Sequence, residues 1–369
     1  MKTTIQRKRV SLTDESNKLI EYYDDALLDS VGAEWNTSAL FSQRLAQNFI
    51  QKFFDEECKN RKIKECISSI TPFRAVHTVS SFLLGLTIKN ALSFDTRNWR
   101  HLPGEKNAKG SFELFWSWIC LFHDIGYKYE ESSEQYCSYK RVEDLVSALS
   151  IKNNLLDESE NSELIKKYYE KRINSKEARL DHGIVGALLL YDALMSLSKD
   201  IETYSSIVRY KAFYVKICDT IALHNMWRAT IESVDEYCKH GLEELIPGMD
   251  QHHIIFYKDD PVLFLLALVD TIDPIKAFCR DNRHKKPANE MDVLQKTYLH
   301  FENRTGIKRL YYTYADLSFS QFATSNANPD TGLPSWLGVY VQHIKKDAIN
   351  ENLIITINLT DSISDGVIE

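Results

Sequence analysis

Glycine and proline are scarce in this sequence, 13 and 8 residues out of 369. Average usage is about 7% for glycine and about 5% for proline, so few turns interrupt the chain and long helical periods are favoured over strands. The seven cysteines are odd in number and show no CxxC spacing. That excludes a thiolate zinc motif and points to reduced thiols in a cytoplasmic protein. Positive charge is not in excess, with a net charge of −7 and an isoelectric point near 5.9, which argues against strong binding of duplex nucleic acid by bulk electrostatics. No apolar run approaches the ~18 residues of a membrane span. The charged start Met1–Arg9 has no apolar segment behind it, so neither a signal peptide nor a membrane association is expected. What is present is an ordinary hydrophobic fraction, 44%, enough for a globular core. The length suits one large helical domain with an appendage.

The chain is organised around Phe112–Tyr127. A nearly continuous apolar run ends in the adjacent pair His123-Asp124, followed by Gly126. The pair therefore sits at the end of a buried helix, with His123 continuing the stripe of Phe115 and Ile119. An ionised carboxylate buried without a partner costs several kcal/mol or more. The neighbouring imidazole makes a metal ion the economical counter-charge, because His nitrogen and carboxylate oxygen suit Zn, Mn or Fe.

Further inward polar residues lie on other apolar stripes. Thr71 and Pro72 start a helix on which His77 shares a face with Phe73 and Leu84. Asp181 caps a helix where His182 lies on the stripe of Val185, Gly186 and Leu189, and Gly186 and Ala187 would admit a close neighbour. A helix over roughly 206–223 brings His224 onto the face of Ile217, Thr220 and Ile221. Asp260 and Pro261 open another, where Asp270 shares a face with Leu263, Leu266 and Ala267. Asp273, one turn on, is placed to share that task or to hydrogen-bond a ligating histidine. Each histidine alone is adequately explained as a satisfied core residue, but four histidines and two aspartates together are not. His252 and His253 are rival ligands by composition, in a loop-like stretch before Pro261.

The expected class is mainly α. Residues 1–62 are read as an N-terminal helical extension with a core helix over 38–58, and residues 63–288 as the metal-bearing domain. Residues 289–369 are read as a helix reaching Phe301 followed by a small antiparallel sheet, an α+β appendage. Its strands are Arg309–Tyr314, Gly338–Ile344 and Leu353–Leu359, with β-branched or aromatic content in each. The terminal regions are the expected surfaces for a protein partner or a second copy.

The order His77, His123-Asp124, His182, His224, Asp270 resembles the HD-domain phosphohydrolase superfamily, in its six-ligand binuclear branch. Arg74 three before His77, Gly126 behind the dyad and the segment Val269–Asp273 are its more specific marks, and the resemblance spans roughly 70–280. It implies an HD-type helical fold in which His77, His123 and Asp270 hold one divalent metal, His182 and His224 a second, and Asp124 bridges. The metals would be Mn, Fe, Zn or Mg, and a hydroxide between them would attack a phosphoester or phosphoanhydride of a nucleotide-like substrate. Two metals about 3.5–4 Å apart suit in-line displacement at phosphorus. Asp124 and Lys128 are then the catalytic candidates, with Arg74 and Lys128 contacting phosphate and Asp273 supporting a ligand. Cyclic-di-GMP phosphodiesterases of the HD-GYP group carry Lys directly after the dyad's glycine, where this chain has Tyr127, and their Gly-Tyr-Pro loop is absent after His224. The segment Asp181–Ala187 is closer to bacterial HD hydrolases of dinucleoside polyphosphates. Two rival classes share the resemblance: a nucleotide-sensing scaffold without turnover, and a di-iron oxygenase.

Overall fold

The computed structural model describes residues 17–31, 35–41, 45–53, 60–92, 111–176, 178–198, 204–226, 229, 231–246, 260–278, 289–304, 307–315 and 353–360. The protein is mainly α-helical, as its composition implies. Among the described residues no helix is long and apolar enough to cross a membrane. The chain forms two compact units, each assembled from separate stretches. One comprises 47–78 and 95–266, the other 1–46, 79–94 and 267–369. These units cut across the expected boundaries at 62 and 288.

In the first unit, sequence-encoded caps fix several helix starts. Asn60 accepts from the amide of Ile63 to open Arg61–Ser69, and Asp181 accepts from the amide of Ile184 to open His182–Leu197. Asp260 accepts from the amide of Leu263 ahead of Pro261. Each side chain satisfies an amide that the first helical turn leaves without an intrahelical partner. The helix Ser111–Phe122 buries Phe115, Trp116, Ile119, Cys120 and Phe122, and Phe115 meets Phe213 of Tyr204–Leu223 edge to face at 4.7 Å. The polar span after Tyr129 contains the helices Val142–Ala148 and Ser162–Asn174. His182–Leu197 is apolar on nearly all sides, with thirteen of its residues buried, the signature of a central helix.

In the second unit, Leu19–Val31 buries Leu19, Tyr23, Ala26 and Leu27. The helix expected over 38–58 consists of two described pieces: Thr37–Leu40, which closes at Phe41 and lies in this unit, and Leu45–Phe53, of which residues 47–53 belong to the first. The expected helix to Phe301 is shorter than its sequence suggests. It runs only over Glu290–Gln295, because Thr297 and Leu299 are buried while Tyr298 and His300 are half-exposed, a period of two that a helix cannot serve. Four described strands make the sheet: β1 (Asn17–Lys18), β2 (Thr297–Arg304), β3 (Ile307–Ala315) and β4 (Leu353–Thr360), in that order. β2 and β3 are antiparallel with Leu299 opposite Tyr312. β4 runs parallel to β3 with Leu310 opposite Ile355, so the sheet is mixed rather than antiparallel. A parallel neighbour needs a crossover connection of a dozen or more residues, and the long stretch between Ala315 and Leu353 supplies that length. β1, from the N-terminal region, pairs with β2, which ties residues 1–46 to the C-terminal ones. The strand expected at Gly338–Ile344 lies outside the described residues.

Asp273 and Asp270 belong to this unit. Asp273 is fully buried: one oxygen accepts from the Ser80 hydroxyl, which also meets the Tyr23 hydroxyl at 2.9 Å. The other oxygen accepts from the amide of Lys276 at 2.9 Å and so caps Pro274–Phe278. Asp270 is buried and paired with Lys276 Nζ at 2.6 Å. Replacing Asp273 with alanine removes a cap and a buried acceptor together, and should lower unfolding free energy by about 2–3 kcal/mol. Urea unfolding checks this, with Asp273→Asn expected to lose less.

Candidate metal centre

The apolar helix Ser111–Phe122 stops one residue before the dyad. The chain then turns through His123–Gly126, with the Tyr127 amide donating to the Asp124 carbonyl at 3.1 Å. His123 is buried, and its Nδ1 lies 2.6 Å from the Cys120 carbonyl. A carbonyl only accepts, so Nδ1 carries a proton and Nε2 is the nitrogen left to face a ligand. Helix Tyr204–Leu223 repeats the device: His224 follows its last residue, with Nδ1 2.6 Å from the Ile221 carbonyl. Both helix ends thus use a carbonyl of their final turn to fix a histidine tautomer.

His182 enters from the opposite kind of helix end, as the first residue after the Asp181 cap. Its Nδ1 lies 2.6 Å from Glu130 Oε2, and its amide donates to the same oxygen at 3.3 Å. His77 completes the set from helix Pro72–Leu92. The rings form a chain, with centroids 5.7 Å apart for His77 and His123, 5.3 Å for His123 and His224, and 5.3 Å for His182 and His224.

Asp124 stands at the centre. Its Oδ1 lies 3.2 Å from His123 Nε2 and 3.6 Å from His182 Nε2, and its Oδ2 lies 3.8 Å from His77 Nε2. Among the described residues two groups could hold a metal ion, His77–His123–Asp124 and Asp124–His182–His224. Within each, all ligand atoms lie within 4.8 Å of one another, every member is buried, and Asp124 belongs to both. Five of the six expected ligands are therefore brought together in the expected two sets. Asp270 is in neither group and belongs to the other unit. His252 and His253 lie outside the described residues.

Two glycines permit this convergence. A Cβ on Gly126 would sit 2.0 Å from the His182 carbonyl oxygen and 2.8 Å from the Gly186 nitrogen. One on Gly183 would sit 2.7 Å from the Ile221 carbonyl oxygen and 3.0 Å from the His224 ring. Gly186 faces Gly126, which accounts for the small residue expected there to admit a neighbour.

The electrostatics suit a cation. Burial disfavours charge on His182, but the Glu130, Asp124 and Asp181 carboxylates outweigh it and hold the ring above the ordinary histidine range. Burial likewise works against the Glu130 anion, yet His182, Arg179 and Arg172 keep its carboxyl below the usual value. Arg179 Nε donates to Glu130 Oε1 at 2.8 Å. Burial pushes the Asp181 carboxyl up despite His182 and Arg172, and its Oδ2 accepts from Asn225 Nδ2 at 2.9 Å. Imidazole nitrogens with fixed tautomers around a shared buried carboxylate fit a borderline divalent metal.

The two expected phosphate contacts differ. Arg74 lies with Cζ 3.1 Å over the Tyr127 ring and donates to Glu131 at 3.3 Å. Lys128 pairs with Glu65 at 3.2 Å in an open groove of about 490 Å³ shared with Arg61, Lys64, Ser68 and Ser69. Sequence reasoning missed Glu130, Tyr127 and Gly183. A ligating histidine calls for an acceptor at its other nitrogen, but nothing in the chain order marks Glu130 among the surrounding acidic residues.

No family model, curated protein or solved structure matches this chain.

Gly126→Ala places a methyl group against fixed backbone and should cost about 1–3 kcal/mol, as for an overpacked core. Gly241→Ala, at a backbone φ of 65° remote in sequence from the dyad, serves as the comparison. Chemical denaturation should lower the midpoint for both, while only Gly126→Ala also disturbs metal uptake.

Proposed function

We propose that this chain is a metal-dependent phosphohydrolase of the HD type, cleaving a phosphoester or phosphoanhydride bond in a nucleotide-like substrate. The observation that carries the reading is one buried carboxylate, Asp124, belonging to two imidazole groups at once. Divalent ions held there, of Mn, Fe, Zn or Mg, would supply Lewis acidity and an activated water for attack at phosphorus. His77 and His123 would serve one ion and His182 and His224 the other, with Asp124 shared.

The chain's own residues do the remaining work. The Cys120 and Ile221 carbonyls hold His123 and His224 with Nδ1 protonated and Nε2 presented. Glu130 does the same for His182 across a longer sequence separation. Arg74, whose side chain is 16% exposed, offers a planar fork of donors matched to phosphate oxygens. Lys128 offers a point charge, held by Glu65 until an anion competes for it.

Elemental analysis of protein purified without chelator, together with turnover of a phosphodiester and nucleotide panel with added Mn, tests the reading. About two metals per chain and release of phosphate or nucleotide are expected. No metal and no turnover, even after Mn addition, would sink it. Asp124→Ala should lose metal and turnover together, and unchanged metal content would remove Asp124 from the site. His182→Ala should lose one metal of two. Glu130→Gln should weaken metal binding by about 10- to 100-fold while the fold persists, read by competition with a chelating dye.

A further inference from the structure

Tyr127 lies between a candidate metal ligand and a candidate phosphate contact. One face of its ring stacks on His182, with centroids 3.9 Å apart and planes 14° from parallel. The other face carries the Arg74 guanidinium, Cζ 3.1 Å from the centroid. The three side chains form one stack, Arg74 over Tyr127 over His182, within a single unit. Gly126 brings the start of helix Tyr127–Glu131 against the His182 carbonyl, so the backbone contact and the ring contact coincide.

The hydrogen bond from Nδ1 to Glu130 fixes the tautomer of His182 and anchors one edge of its ring. An imidazole restrained at one nitrogen can still swing about that anchor, which would carry Nε2 away from Asp124. A flat partner at stacking distance removes that swing. The same partner seats a guanidinium, since a cation over an aromatic face is attracted by the ring quadrupole. Arg74 is held laterally by Glu131 at 3.3 Å.

We propose that Tyr127 is the positioning residue that sets the plane of His182 and seats Arg74, so that the metal ligand and the phosphate contact are aligned by one ring. This rests on the metal-dependent reading above. The ring makes both stacks, while the hydroxyl adds a hydrogen bond to Arg74 alone, so for the plane of His182 phenylalanine should substitute and leucine should not.

The test is calorimetric titration of metal-free protein with Mn(II), alongside KM and kcat for whichever phosphodiester the wild type turns over. Tyr127→Leu should weaken the weaker Mn step by about tenfold or more and raise KM together. Tyr127→Phe should stay within about twofold of wild type in Mn affinity, on the same reasoning. Arg74→Gln should raise KM and leave Mn affinity unchanged. Equal Mn affinity in wild type and Tyr127→Leu would overturn the proposal, as would a Tyr127→Phe loss matching that of leucine. If wild type takes up no Mn, the functional reading fails and this proposal with it. If wild type binds Mn and the leucine variant binds it equally, only this proposal fails. Should Tyr127→Leu not fold, the imidazole proton resonance that vanishes in His182→Ala decides the matter in unmodified protein. The stack predicts an upfield ring-current shift, and an ordinary position would overturn it.

Discussion

A carboxylate at the end of an apolar helix is the constraint around which the first unit is arranged. Asp124 is nearly inaccessible to solvent, and an uncompensated charge there would cost several kcal/mol, comparable to much of a domain's net stability. Around it the structure gathers four imidazoles from four separate helices, a donor set that could hold the compensating cation. His123 and His224 come from C-terminal ends, His182 from an N-terminal end and His77 from within a helix. Such convergence demands close backbone approach, and Gly126 and Gly183 permit it where any Cβ would collide with a carbonyl. Packing and the placement of donor atoms are therefore one problem in this region, solved by the same few residues.

Behind the imidazoles lies a second layer of charge. Glu130 and Asp181 are buried carboxylates, and Arg172 and Arg179 reach them from the partly exposed side. Against burial, His182 and then the arginines hold the Glu130 carboxyl below the usual value, which suits it to accept from His182. A buried ion network of this kind contributes little net stability but leaves few alternative arrangements for its members. That balance suits a site whose geometry matters more than its contribution to folding. Asp181 also caps the helix that starts at His182, so the element and its ligand share an anchor.

What could be read in the chain was local. Proline and aspartate at helix starts, apolar stripes and the histidines at their ends are short-range signals, and they placed His77, His123, His182 and His224 on inward faces correctly. Glu130 and Tyr127 escaped because the helix holding them is only five residues long, too short to show a period, and both act on a residue more than fifty positions away. The parallel pairing of β4 escaped for a related reason, since strand content says nothing about direction and the connection is long. The expected helix to Phe301 shows the converse error: the helix that Asn289 caps was expected to run past the point where Thr297 and Leu299 begin to alternate with half-exposed neighbours. Asp270 was placed on an apolar face and is buried, yet its ion pair with Lys276 could not be anticipated from the stripe.

The carbonyls that fix His123 and His224 belong to the last turns of their helices. One more turn of helix in either case would engage the Cys120 or Ile221 carbonyl with the amide four residues on, that of Asp124 or Asn225, and the imidazole would have to share its acceptor. The length of these two helices is thus a chemical setting as much as an architectural one. Where each helix stops decides which nitrogen of its histidine faces the interior.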